Sequence, residues 1–138
     1  MEKPSANLQN VVVIEDDLAI KTLLAAVLEH NFVVTAFENG LDALSYMQKG
    51  YVPDIIISDL NTPRLNGYDL LVQLKASNYF KAVPMIILSG KDGSETRIKC
   101  LEAGADDYIL KPFNPRELEA RINVILNRYG KSLMSKNY

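Results

Sequence analysis

The sequence has little cysteine, no long apolar run and no excess of charge of one sign. Its single cysteine, Cys100, excludes an internal disulfide and is typical of a reducing compartment. No apolar run approaches the ~20 residues needed to span a bilayer, and the polar start at residues 1–7 lacks the charged and apolar regions of a signal peptide. These absences predict a cytoplasmic protein that does not insert into a membrane.

The charge and the histidine content exclude further functions. A net charge of −2 provides no basic surface for a phosphate backbone, which disfavours direct binding of nucleic acid. The only histidine, His30, lacks the partner pattern of a metal site or a phosphohistidine. The 138 residues, of which 48% are hydrophobic, are enough for one globular domain with a substantial core.

The most informative stretch is an apolar strand that ends in an acid. Three consecutive isoleucines at residues 55–57 predict a strand buried on both faces, as in the centre of a parallel sheet. The run ends in Asp59, and Pro63 and then Asn66 with Gly67 predict a turn. Because ligands bind beyond the carboxyl ends of strands in such sheets, Asp59 is predicted to lie in a polar site.

The same order of a strand and then a helix recurs along the chain. Apolar or β-branched runs predict strands at residues 11–14, 32–36, 55–59, 83–88 and 107–110. Apolar residues at helical spacing follow each run, so that five strands alternate with five helices. This alternation predicts an α/β fold with one doubly wound parallel sheet and right-handed crossovers.

Polar side chains follow four of the predicted strands. Glu15 and Asp16 follow the first, Asp59 ends the third, and Ser89 and Lys111 follow the last two. Three carboxylates that meet at one edge repel one another unless a cation lies among them, and oxygen ligands alone favour Mg²⁺. A lysine and a hydroxyl beside a carboxylate can neutralise or hydrogen-bond the oxygens of a phosphoryl group, which the carboxylate of Asp59 could attack.

Each of these residues also has a plain structural interpretation. Asp16 and Asp17 could both be capping acids of the first helix, which is the interpretation we prefer for Asp17. Glu15 could be a solvated acid, Ser89 a turn residue and Lys111 a surface lysine. The position of all of them at strand ends favours a shared site.

Several motifs in order resemble the receiver domain of two-component response regulators, similar to the single-domain chemotaxis type, over about residues 10–129. They are Val-Val-Ile-Glu-Asp-Asp at 12–17, Ser-Asp-Leu-Asn-Thr-Pro at 58–63, Leu-Ser-Gly at 88–90, Glu-Ala-Gly-Ala-Asp-Asp-Tyr at 102–108 and Lys-Pro-Phe at 111–113. The resemblance implies a flavodoxin-like sheet of strand order 2-1-3-4-5 with five helices. It places a receiver domain at residues 8–130 and a short polar tail at 131–138.

The resemblance also implies a ligand set. Asp59 would be the phosphoacceptor, in a reaction that depends on Mg²⁺ as the cofactor. Asp16 and Asp59 would bind Mg²⁺ directly, the backbone carbonyl of Asn61 would complete the protein ligands, and Glu15 would hold the metal through water.

The remaining implied roles concern phosphate and the response to it. Lys111 would bind the phosphate, and its peptide bond to Pro112 would be cis. Ser89 would be the switch hydroxyl that moves onto the phosphate. Tyr108 would swing inward as Ser89 moves and carry the change to the surface of the fourth helix, fifth strand and fifth helix. A tyrosine at such a position is more often a half-buried core aromatic than a switch, and Tyr108 could be both.

As a receiver, the chain would be a signalling domain rather than an enzyme. Its donor would be a histidine kinase or a histidine phosphotransfer protein, and its output would go to a downstream protein or to a dimer of itself. Two alternatives remain. One is a receiver-like interaction module that works without phosphate. The other is an aspartyl phosphatase of the haloacid-dehalogenase type, which would need a second acid where Asn61 stands and its motif on the first strand.

Overall fold

A computed structural model describes residues 8–90 and 93–130, and the predicted polar tail at 131–138 lies outside that part. The strands are Gln9–Ile14 (β1), Phe32–Phe37 (β2), Ile55–Asp59 (β3), Met85–Ser89 (β4) and Asp107–Leu110 (β5). The helices that alternate with them are Leu18–Leu28 (α1), Gly40–Gln48 (α2), Gly67–Lys75 (α3), Ser94–Glu102 (α4) and Pro115–Arg128 (α5). None of the helices within the described ranges has the length and apolar character that crossing a membrane requires.

The strands form one parallel sheet in the order β2-β1-β3-β4-β5. The predicted doubly wound sheet of order 2-1-3-4-5 is therefore confirmed. β3 lies at its centre, and every residue of that strand is buried, as the three isoleucines predicted. Asp59, the last residue of β3, is opposite Leu88 of β4. Its carboxylate therefore lies at the carboxyl edge of the sheet.

The core has two layers, one on each face of the sheet. α2, α3 and α4 cover one face with the buried side chains Ala43, Met47, Leu70, Leu71, Leu74 and Cys100. α1 and α5 cover the other face with Leu24, Leu28, Leu118, Ile122, Ile125 and Leu126. Successive residues of β3 alternate between the layers, with Ile56 in the first layer and Ile55 and Ile57 in the second. Because helices cover both faces of the sheet, the central strands reach solvent only at their ends.

Side-chain caps determine where the helices begin after the strands end. The predicted cap of α1 is confirmed, because the backbone N–H of Ile20 donates to Oδ1 of Asp17 over 3.1 Å. Asn39 and Asn66 cap α2 and α3 in the same way, each accepting from the backbone N–H three residues further on over 2.8 Å. These caps satisfy first-turn N–H groups that would otherwise lack partners. They also hold the strand-to-helix loops close to the carboxyl edge.

Candidate functional site

The carboxyl edge of the sheet brings the predicted site residues together. Glu15 and Asp16 directly follow β1, Asp59 ends β3, Ser89 ends β4, and Lys111 directly follows β5. Ser89 pairs in register with the last residue of β5, and its carbonyl accepts the backbone N–H of Lys111 over 2.8 Å. Four neighbouring strands of a single sheet therefore carry these five groups to the same edge of the sheet.

Three carboxylates form the centre of this site. Glu15, Asp16 and Asp59 each offer one carboxylate oxygen, and these oxygens lie within 4.8 Å of one another. Glu15 is 1% exposed and Asp59 is 7% exposed, whereas Asp16 is on the surface. The cluster is therefore buried on one side and open to solvent at Asp16. A donor set made only of oxygens suits a small hard divalent cation such as Mg²⁺.

The ammonium group of Lys111 lies between two of these acids. Its Nζ is 2.6 Å from Oδ1 of Asp59 and 2.8 Å from Oε1 of Glu15. Burial alone would lower the pKa of Lys111, but its hydrogen bonds to Asp59 and Glu15 outweigh burial, so that the pKa is raised above 10.5. Burial raises the pKa of Glu15, and the hydrogen bond from Lys111 offsets only part of that effect. The lysine therefore stays charged and balances carboxylates that have lost their hydration.

Backbone N–H groups fix the remaining oxygens of the two buried acids. The N–H of Asn61 donates to Oδ2 of Asp59 over 3.1 Å, and the N–H of Asp17 donates to Oε2 of Glu15 over 3.1 Å. Each acid thus has one oxygen on Lys111 and the other on the backbone of the loop that follows it. This arrangement orients both carboxylates before any ligand arrives.

The structure places one predicted switch residue, Ser89, at the strand end beside this site. It places the other, Tyr108, in the core. Ser89 is fully buried and lies one position beyond Leu88, the residue opposite Asp59. Tyr108 is 8% exposed and packs in the same core layer as Cys100. The peptide bond between Lys111 and Pro112 is cis, as predicted. A core position is one of the two interpretations that the sequence left open for Tyr108.

Two residues to which the sequence analysis assigned no role contact the loop that carries Asn61. Thr62 is 4% exposed, and its hydroxyl donates to the carbonyl of Leu65 over 2.9 Å. Gly40, the first residue of α2, lies against the same Leu65 carbonyl. Both contacts involve the loop that carries Asn61. A threonine before a proline signals a turn, but no local signal marks the contact of Gly40.

The fold is of the flavodoxin-like class, with five parallel strands in the order 2-1-3-4-5 and five helices. Residues 11–123 match the family model described as the response regulator receiver domain, and the chain belongs to this family. Members of this family act in signal transduction and are not conventional enzymes. The predicted resemblance is thereby confirmed.

Individual relatives agree with this membership. The chain is 38% identical over 124 residues to the transcriptional regulatory protein CreB of Escherichia coli K12, covering 89% of this chain and 53% of CreB. Among solved structures, it resembles the receiver domain of the Francisella response regulator 1452 at 35% identity and a TM-score of 0.80, covering 87% of this chain and 98% of that one. The BeF3-activated DrrB receiver domain is similar at 29% identity and a TM-score of 0.77, covering 88% and 99%. The chain spans about half the length of the curated relatives it matches.

Proposed function

We propose that this domain accepts a phosphoryl group on Asp59 from a phosphohistidine of a histidine kinase or a histidine phosphotransfer protein. The observation that carries the proposal is the ammonium group of Lys111, 2.6 Å from Asp59 at the edge of a cluster of three carboxylates. A nucleophilic carboxylate, a fixed cation and an oxygen-only cation site are the groups that phosphoryl transfer requires. The domain proposed to do this spans residues 8–130.

The donor set fits Mg²⁺. Asp16 and Asp59 would bind it directly with the backbone carbonyl of Asn61, and Glu15 would hold it through water. When bound, Mg²⁺ would neutralise the carboxylates and the oxygens of the incoming phosphoryl group.

The residues of the chain would carry the transfer as follows. An oxygen of Asp59 bonds to phosphorus while the bond from phosphorus to the donor imidazole breaks, and the imidazole keeps the electron pair. Lys111 would contact the phosphoryl oxygens, since its ammonium already lies on the carboxylate that receives them. Ser89, buried one position beyond the residue opposite Asp59, would donate its hydroxyl to the same group.

Phosphorylation would then shift an existing equilibrium between two conformations. The differential contacts of the phosphoryl group with Ser89 and Lys111 would favour one of them. Tyr108 pairs in register with Ile87 of β4, two residues before Ser89, and would follow the movement of that strand end. The change would reach the surface formed by α4, β5 and α5, which would bind a downstream protein or a second copy of the chain.

The alternatives have less support. An aspartyl phosphatase of the haloacid-dehalogenase type would carry its nucleophile on the first strand, but Asp59 lies on β3, with Asn61 where a second acid is needed. An interaction module that works without phosphate would not require the carboxylate cluster or the lysine. No observation favours it.

The proposal is tested by labelling with acetyl phosphate and Mg²⁺. We expect one added phosphate by intact mass for the wild type and for Asp69→Asn, an exposed acid on α3. We expect none for Asp59→Asn. BeF3, with which the related DrrB receiver was activated, should change the amide spectrum of the wild type in the presence of Mg²⁺. Label at the same yield in Asp59→Asn would place the acceptor elsewhere.

A further inference from the structure

The loop between β3 and α3 is in close contact with the first residue of α2. A Cβ atom built on Gly40 would lie 2.3 Å from the carbonyl oxygen of Leu65, and real Cβ atoms essentially never approach another atom below 3.0 Å. It would also lie 3.1 Å from Cβ and 3.2 Å from the carbonyl carbon of Leu65. The two nearest of these distances involve an oxygen fixed in the backbone and the first atom of a side chain. Neither can rotate away as the end of a long side chain can.

The same carbonyl is tied to the part of the loop that follows Asp59. The hydroxyl of Thr62 donates to the Leu65 carbonyl over 2.9 Å, and the N–H of Leu65 donates to the carbonyl of Pro63 over 2.7 Å. Between them, Arg64 has a left-handed φ of 68°. The loop is therefore a tight turn with internal bonds, so that a displacement of Leu65 is transmitted to Thr62.

A second contact joins the same two segments. The guanidinium of Arg64 lies 3.4 Å from Oδ1 of Asp42, and the other carboxylate oxygen of Asp42 accepts from the side chain of Asn39. Asn39 is buried and caps α2. The start of α2 thus contacts the loop through a backbone approach at Gly40 and an exposed ion pair at Asp42. The ion pair contributes little on its own because it is solvated.

We propose that Gly40 is a positioning residue for the cation site. Because Gly40 has no side chain, the backbone of α2 packs directly against Leu65. This contact sets the position of the loop that carries Asn61. The inference rests on the proposed function in one respect, namely that the Asn61 carbonyl is a ligand of Mg²⁺. Gly40 itself touches no ligand and no reacting atom.

The expected effect follows from the geometry. Alanine at position 40 must separate α2 from Leu65 by about 0.7 Å to bring the shortest distance to 3.0 Å. Mg²⁺ demands near-ideal octahedral geometry, so a ligand carbonyl moved by a comparable distance binds it poorly. Loss of a residue that orients a metal ligand costs on the order of 10-fold in affinity. We expect Gly40→Ala to weaken Mg²⁺ binding by about 10-fold.

The test is a titration of the folded protein with Mg²⁺ alone, by calorimetry and by the amide shifts of Asn61 and Thr62. Gly93→Ala is the matched control, because the nearest atom to its new Cβ is 3.9 Å away and its φ is −93°. We expect its dissociation constant to stay within about twofold of the wild type, because the added Cβ displaces no neighbouring atom. A merely structural role for Gly40 would lower the melting temperature and leave the Mg²⁺ affinity of the folded state unchanged.

The outcomes separate this inference from the function on which it rests. If the wild type binds Mg²⁺ and Gly40→Ala binds it equally well, the positioning role is wrong and the proposed function stands. If the wild type itself does not bind Mg²⁺, both are wrong. Should Gly40→Ala not fold, Thr62→Val removes the hydroxyl bond to Leu65 while keeping the side-chain shape, and an unchanged affinity in that variant overturns the inference.

Discussion

Replacing Lys111 by methionine removes the cation from the carboxylate cluster while keeping most of the apolar stem. Glu15, which is 1% exposed, then loses the partner 2.8 Å from its Oε1, and Asp59 loses the partner 2.6 Å from its Oδ1. Breaking a buried ion pair by removing one member costs about 3–5 kcal/mol. Because the lysine side chain is 19% exposed and water can partly replace it, we expect a loss of about 2–3 kcal/mol near neutral pH without Mg²⁺.

The pH dependence of this loss has a definite sign. Burial raises the pKa of Glu15 above its ordinary 4.5, and the hydrogen bond from Lys111 holds that rise in check. In Lys111→Met the pKa rises further. A carboxyl whose pKa is higher in the folded than in the unfolded protein favours the folded state when it is protonated. The stability that Lys111→Met loses through Glu15 therefore shrinks as the pH falls toward 4.5. Mg²⁺ should also reduce the deficit, because it supplies the missing positive charge.

Thermal and urea unfolding, followed by circular dichroism, measure these effects. We expect a melting temperature about 10 °C lower in EDTA, given about 4 °C per kcal/mol for a domain of this size. Lys49→Met, at an exposed position, is the control. A deficit equal to that of the control, or one that does not change between about pH 7 and pH 5 or on adding Mg²⁺, would refute the account of the cluster as charges balanced by Lys111.

Two further predictions concern other parts of the fold. Leu24→Ala should cost about 3 kcal/mol in urea unfolding because Leu24 is 1% exposed, whereas Leu23→Ala, at 45% exposure, should cost under about 1 kcal/mol; equal losses would contradict the assignment of the buried face of α1. Tyr129→Phe should cost about 1 kcal/mol, because the phenol donates to Asp106 over 2.6 Å. Burial and then Asp106 raise the pKa of Tyr129 from 10.0 to about 12, so the stability that the phenol contributes is present below pH 10 and is lost as the pH rises toward 12. A difference between wild type and Tyr129→Phe that stays constant between pH 10 and about pH 12 would contradict this.

Local patterns were sufficient to predict the strands, the caps and the edge where the site lies. The three isoleucines before Asp59 indicated a central strand because only a strand covered on both faces tolerates such a run. Asp17 was recognisable as the start of a helix from its residue type and position. The proximity of Lys111 to Glu15 was predicted from the parallel topology and from the family resemblance.

Other features depend on packing that the sequence does not contain. Leu23 has the spacing of a buried residue of α1 yet is 45% exposed, because the apolar stripe of that helix is wider than the face the sheet covers. Ile98 and Leu101, the apolar residues by which α4 is recognised, are 50% and 43% exposed, and the helix buries Cys100 instead. The contact of Gly40 with Leu65 joins two loops that are distant in sequence. From the sequence alone, a glycine that ends a turn cannot be distinguished from one that lets two backbone segments approach closely.

Glu15 and Lys111 are 96 residues apart in the chain, yet their side chains bond directly in the site. Because synthesis proceeds from the amino end, a ribosome has to release nearly the whole domain before Lys111 can contact the acidic residues of the site. Fragments cut anywhere between β1 and β5 each contain an incomplete set of groups. The ion pair between Lys111 and Glu15 can re-form in a pair of such fragments only if they reassociate into one sheet.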